Sequence, residues 1–279
     1  MNQWILFLFL IFSIKDIMSQ SSLSMMTYNI RYGTADDGPN QWDIRKDFLT
    51  HMLQYYEPDI IATQEGQKFQ LDFMGEYLSD YHWFGLPRNR EAWPEYCAIY
   101  YRSSIIKLLK DSTIWLSPTP EVQSKGWDAA LERIATIGLF QIIENSNLFW
   151  VINAHFDHIG ATARLESAKL LRSVADSLKN KYDIPVILAG DFNDTPDSHT
   201  IKELKEYFSD ASEISIIPPY GPQGTWNAFE FSRIPNETID YIFIDKGSDW
   251  MVKKYRIIDD FYQFKYPSDH LPVMVHFQW

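Results

Sequence analysis

Six apolar segments of this chain, each about as long as a buried strand, run into a side chain able to do chemistry. The plainest is VILAGDFND, residues 186–194. Val186, Ile187, Leu188 and Ala189 suit a buried strand, and after Gly190 come Asp191, Asn193 and Asp194. In the same way LSMMTYNIRYG reaches Asn29, DIIATQE reaches Glu65 and LFWVINAHF reaches His155, while Asp240 belongs to TIDYIFI and Asp269 with His270 to the segment around LPVMVHF. Each group alone has a plain explanation, since Asn and Asp cap and turn the backbone and a histidine can be a satisfied core residue. Together they constrain the fold. Strand ends of one packed structure can bring such groups to one place, and ligands of α/β proteins bind at strand ends.

Helical segments lie between these strands. Ile44, Phe48, Leu49, Met52, Leu53 and Tyr56 follow helical spacing over 42–56, and Pro58 closes that helix. Residues 163–182 form a long helix with Leu165, Ala168, Leu171 and Leu178 on one side, and a shorter helix is expected near 198–207. EYCAIYYR (95–102) and RIATIGLFQII (133–143) read as further strands. Strands and helices spread this evenly, with no repeat and no linker, imply one α/β domain over 22–279.

The apolar run WILFLFLIFSI, Trp4 to Ile14, is too short to span a bilayer comfortably. It fits the apolar region of a secretory signal, with small residues following at Ser19, Ser21 and Ser22, although the opening MNQ lacks a basic residue. Residues 1–21 are therefore expected to be a signal peptide. The mature protein is expected to be exported to the periplasm or outside the cell, with no transmembrane helix. The single cysteine, Cys97, rules out an intrachain disulfide and a cysteine-based zinc site. A net charge of −12 gives no broad basic footprint for nucleic acid, but it leaves room for a local basic cleft.

If the polar strand ends converge, Glu65 and Asn29 offer hard oxygen ligands suited to Mg²⁺ or Mn²⁺. Asp191 can hold a water and Asn193 can orient it. The two histidines, each near an acid, can serve a leaving oxygen, and arginines can clamp phosphate oxygens. That combination points to attack on a phosphate ester.

GDFN (190–193), SDHLPV (268–273), TQE (63–65), YNIR (28–31) and TIDYIF (238–243) together resemble the endonuclease/exonuclease/phosphatase superfamily, in that family's order and across nearly the whole mature chain. WLSPTPEVQSKGWDAALERIAT and NAHFDHIGATAR are similar to a secreted bacterial subgroup of it. The resemblance implies a four-layer α/β sandwich, two mixed β-sheets packed face to face and flanked by helices. It implies Glu65, Asn29 and Asp269 as metal-site residues. It implies His155 and Glu95 as one histidine–acid pair, His270 and Asp240 as another, and Asp191 with Asn193 as the water- and phosphate-handling pair. Arg133, Arg164 and Arg31 are the implied phosphate contacts; Arg31 stands where abasic-site endonucleases carry an aspartate. Asp157 is expected either to support the site or to close a turn. The implied activity is a divalent-metal-dependent phosphoesterase, with a phosphodiester favoured: nucleic acid, a phospholipid head group or a small diester. Trp93, Trp226 and Phe229, in segments 87–96 and 218–231, are candidates for the rim. The alternative is a catalytically silent binding module on the same fold.

Overall fold

A computed structural model describes residues 22–182 and 184–279; the expected signal segment lies outside the described residues. The first half runs β1 (Ser22–Asn29), α1 (Trp42–Tyr56), β2 (Ile60–Gln64), β3 (Gly66–Gln67), α2 (Lys68–Tyr77), β4 (Tyr81–Phe84), β5 (Glu95–Tyr96) and β6 (Ile99–Arg102). Then follow β7 (Ile106–Trp115), β8 (Ile134–Ile142), β9 (Leu148–His155), α3 (Ala161–Tyr182), β10 (Val186–Asp191), α4 (His199–Tyr207) and β11 (Phe208–Asp210). The chain closes with α5 (Ala211–Ile214), β12 (Asp240–Asp245), β13 (Met251–Ile257) and β14 (Val273–Gln278).

Two mixed sheets form, one in the order β13-β14-β1-β2-β6-β4 and the other β11-β12-β10-β9-β8-β7. Successive strand residues point to opposite faces, and here both faces are covered. Met25, Ile60 and Ile99 of the first sheet pack against Val151, Ile187 and Ile242 of the second. Their sequence neighbours point the other way. Met26 and Ile61 lie under Leu49 of α1 and Met74 of α2. Ile152 and Leu188 lie under Leu171 of α3 and Leu204 of α4. Burial on both faces is why VILA has no polar alternation, and the result is the four-layer sandwich expected from the sequence. Among the described residues, no helix is long and apolar enough to cross a membrane.

The topology explains the polar strand ends. β1 and β2 are parallel, as are β9 and β10, so Asn29, Glu65, His155 and Asp191 arrive at one edge from C-terminal ends. β12 runs antiparallel to β10, and β14 antiparallel to β1. Asp240 and the Asp269–His270 pair therefore reach that edge at or before the start of their strands, not at the end. Gly190 lets β9 and β10 close together. Its φ is +151°, and a Cβ there would lie 1.9 Å from the Ala154 carbonyl oxygen.

Residues 95–102 are not one strand. Cys97 and Ala98 separate β5 from β6, and β5 pairs with β3 outside the two large sheets.

Candidate active site

A cleft of about 890 Å³ opens at the shared edge, lined by Arg31, Glu65, Glu95, Arg133, His155, Asp191, Asn193, Asp269 and His270 among others. The backbone is strained where three of these side chains turn inward: Arg31, Glu65 and Asn193 have φ of 57°, 62° and 49°. Non-glycine residues hold such values only where their surroundings fix them.

Asp191 is buried at the centre of this group. Its Oδ1 accepts from the Asn193 backbone N–H at 2.9 Å, and its Oδ2 accepts from Asn29 Nδ2 at 2.9 Å. The Nε2 atoms of His155 and His270 lie 3.5 and 3.8 Å from the same Oδ2. Burial, and then repulsion from Asp240, push the Asp191 carboxyl up to about 7.

Their surroundings push the two histidines in opposite directions. Burial opposes a charge on His270, but the Asp240 and Asp191 carboxylates outweigh it and raise its pKa well above the ordinary value. The contact behind this is His270 Nδ1 to Asp240 Oδ2 at 2.9 Å. For His155, burial and then the Arg133 and Arg88 guanidinium groups act together and hold the pKa well below normal. Arg133 Nη1 sits 3.0 Å from His155 Nε2 and Arg133 Nη2 sits 2.9 Å from His158 Nδ1. A guanidinium only donates, so these contacts, like the lowered pKa values of both rings, favour the neutral imidazole.

Asp157 fixes Arg133, at 3.3 Å from its Nε, and also closes the turn by accepting from the backbone N–H groups of Ala130, Ile159 and Gly160. Asp157 thus touches both Arg133 and the turn. Asp240 lies behind His270, and Asn29 bridges Glu65 Oε1 (3.0 Å) and Asp191.

Two residues depart from the sequence-based pairing. Glu95 is ion-paired with Arg88 at 2.7 Å, not hydrogen-bonded to His155, because Arg133 occupies the space beside that ring. Arg164 does not line the cleft. From the first turn of α3 it holds Asp194 at 3.1 Å and the Asp157 carbonyl at 3.0 Å, which braces the rim. Arg31 lines the cleft with its guanidinium forked onto Asp37 at 2.9 and 2.8 Å, and 3.8 Å from Asp269. Trp93 and Trp226 line the cleft as expected, whereas Phe229 lies over Arg45 instead. Tyr32 and Arg88 also line it; a tyrosine after a strand end and one arginine among several carry no distinguishing signal in sequence.

The donor set fits a hard cation. Asp269 is raised by burial and further by Glu65, although His270 and Arg31 oppose this. Glu95 is pushed up to about 7 by burial and then by Glu65. Positive charge beside Glu65 would relieve both. Among the described residues, Asp191, Asp240 and His270 also offer ligand atoms within 4.8 Å of one another. The His270 nitrogen facing Asp240 is already engaged there, while Asp240 Oδ1 is buried without a hydrogen-bond partner.

The sequence model of the endonuclease/exonuclease/phosphatase family matches residues 26–270. The chain belongs to this family. Members of the endonuclease/exonuclease/phosphatase family are hydrolytic phosphoesterases and use divalent metals. A family member of known structure from Bacteroides thetaiotaomicron is 33% identical, with a TM-score of 0.88 over 93% of this chain and 96% of its own. The mannosyl-6-phosphatase of the same organism is also 33% identical, with a TM-score of 0.88 over 92% of this chain and all of its own. Mimivirus protein L388 is 30% identical over 267 residues, covering 85% of this chain and 92% of its own. Human nocturnin is 22% identical over 86% of this chain, which spans only 59% of nocturnin's length.

Proposed function

We propose that the protein is a divalent-metal-dependent phosphatase that removes one phosphate group from a sugar or a similar small polyol. The observation that carries this is the charge of the cleft. Its arginines Arg31, Arg88 and Arg133 are each opposed by an acid, Asp37, Glu95 and Asp157. Glu91, Asp194 and Glu237 add acids to its lining. Such a site can hold one phosphate but repels a chain of them, because each further phosphate needs its own cation. This favours a monoester over the diester expected from sequence, and the 33% identity to a mannosyl-6-phosphatase supports it. The indole of Trp93, 59% exposed, and that of Trp226 offer flat faces for the C–H surface of a sugar ring. Export directed by residues 1–21 belongs to the same reading.

The residues divide the work. Glu65 and Asp269 would hold the metal ion, with Asn29 orienting Glu65 through its side-chain N–H; when bound, the ion would supply positive charge against the phosphoryl oxygens. Asp191 accepts the proton of the attacking water. Asn193, by donating to Oδ1, leaves the Oδ2 side of Asp191 facing the histidines. His270, held charged by Asp240, donates the proton the leaving alkoxide needs. Arg133 and Arg31 present N–H groups to the non-bridging oxygens, and neutral His155 keeps Arg133 in place.

Phosphate release from mannose 6-phosphate, glucose 6-phosphate and glycerol phosphate would be compared with p-nitrophenol release from bis-p-nitrophenyl phosphate and with strand cleavage of a single-stranded oligonucleotide. The sugar phosphates are expected to be cleaved fastest. Faster cleavage of the diester or the oligonucleotide would overturn the substrate assignment.

A further inference from the structure

We propose that Arg45, on the buried side of α1, is the positioning residue that sets the loop carrying Asn29 and Arg31 against the loop carrying Asp269 and His270. Arg45 is 4% exposed. Its Nη1 donates to the carbonyls of Ile30 at 2.6 Å and Pro267 at 3.1 Å. Its Nη2 donates to the Arg31 carbonyl at 2.8 Å, and its Nε to the Asn40 carbonyl at 3.0 Å. One planar fork therefore joins three chain segments, and two of them hold the site residues.

None of these acceptors is a carboxylate. A buried arginine without a paired acid is costly, and burial lowers its pKa to about 10. The four carbonyls and the rings of Trp42 and Phe229, 5.1 and 5.9 Å away, compensate. The arrangement also explains how Arg31 keeps its strained backbone. With φ at 57°, its carbonyl is turned inward and receives both Arg45 and Gln70 Nε2. The Ser268 hydroxyl, donating to the Asn29 carbonyl at 2.7 Å, ties the same two loops from the other side. Lysine could not replace the fork, because its single ammonium cannot reach carbonyls spread over three segments.

The proposal rests on the roles assigned above to Asn29, Arg31 and Asp269. Arg45→Lys would be compared with Thr50→Val. Thr50 is buried on the same helix and, among the described residues, its hydroxyl bonds only to that helix's carbonyls of Lys46 and Asp47, so it reports a purely structural loss. Hydrogen exchange of the metal-free protein, Mn²⁺ binding by calorimetry, and kcat and KM would be measured on both. Arg45→Lys is expected to lose protection at residues 30–32 and 267–270, and to lose Mn²⁺ affinity and kcat on the order of 10–100-fold with little change in KM. Thr50→Val is expected to lose protection in α1 alone. Equal patterns in the two variants would overturn the proposal. If Arg45→Lys does not fold, Trp42→Phe loosens the packing under the guanidinium and is judged by the same exchange pattern. A wild-type protein that binds Mn²⁺ but cleaves no phosphomonoester would sink the proposed function, while exchange and Mn²⁺ binding would still decide the role of Arg45.

Discussion

The side-chain amide of Asn29 donates to Asp191 Oδ2 at 2.9 Å, joining residues 162 positions apart and the two sheets of the sandwich. The same amide donates to Glu65 Oε1 at 3.0 Å. Asn29 therefore separates two carboxylates that would otherwise repel, one on the proposed metal side and one on the proton-transfer side. Its side-chain oxygen is taken by the Arg31 backbone N–H at 3.0 Å, which fixes the orientation of the amide.

Asp191→Asn should lower kcat about 10²–10⁴-fold, because the proposed base is gone. The metal-free variant should also gain stability relative to wild type as pH rises. The folded carboxyl is pushed up to about 7, against an unfolded value near 3.9, so the wild-type fold loses stability as pH climbs through that window. Such a shift corresponds to at most on the order of 4 kcal/mol. Urea unfolding at pH 4 and pH 8 checks this. A stability difference that does not grow with pH would contradict it.

Asp157 works with the opposite sign. Burial opposes its charge, but backbone N–H groups of Gly160, Ala130 and Ile159, with Arg133, outweigh it and hold the carboxyl below the usual range. Its contribution is full above the unfolded pKa and disappears as pH falls through the folded one. Asp157→Asn should cost about 2–4 kcal/mol at pH 7 and much less at the acid end. Chemical denaturation of both proteins from pH 7 down to pH 2 would show the gap narrowing below the unfolded pKa. A gap independent of pH would mean that the carboxylate charge is not what stabilises the turn.

How much of this was legible in sequence follows from burial. β10 and β9 are buried on both faces, so their apolar runs and polar ends stood out. β7 is an edge strand with half of its residues exposed, and its KLLKDSTIW gives no clean alternation. α2 starts on a capping box of Gln67 and Gln70, not on the Ser, Thr, Asp or Asn that mark helix starts. Within the site, the residue types at strand ends were readable, but partner choice was not. Whether Glu95 meets His155 or Arg88 depends on where Arg133 lies, and that is set by Asp157 from another loop. Arg45 was silent because a buried arginine bonded to carbonyls leaves no motif.

Trp93→Ala tests the sugar face of the cleft. The indole is held edge-on by Phe69 at 5.6 Å, and its carbonyl by Gln67 Nε2 at 2.9 Å, so it is placed in advance of any ligand. KM for a sugar phosphate should rise about tenfold, or about 1.4 kcal/mol, while cleavage of ethyl phosphate stays nearly unchanged. Equal losses on both substrates would place Trp93 in the general architecture of the site and not in sugar recognition.

The most direct measurement is phosphate release from a phosphomonoester by the metal-stripped chain from Ser22. It would be followed before and after addition of Mg²⁺ or Mn²⁺, with Asp191→Asn and His270→Gln alongside. Turnover is expected to be absent without metal, to return in full when metal is restored, and to be lost in both variants although they remain folded. Turnover that survives chelation, or that survives in Asp191→Asn, would contradict the mechanism at its centre.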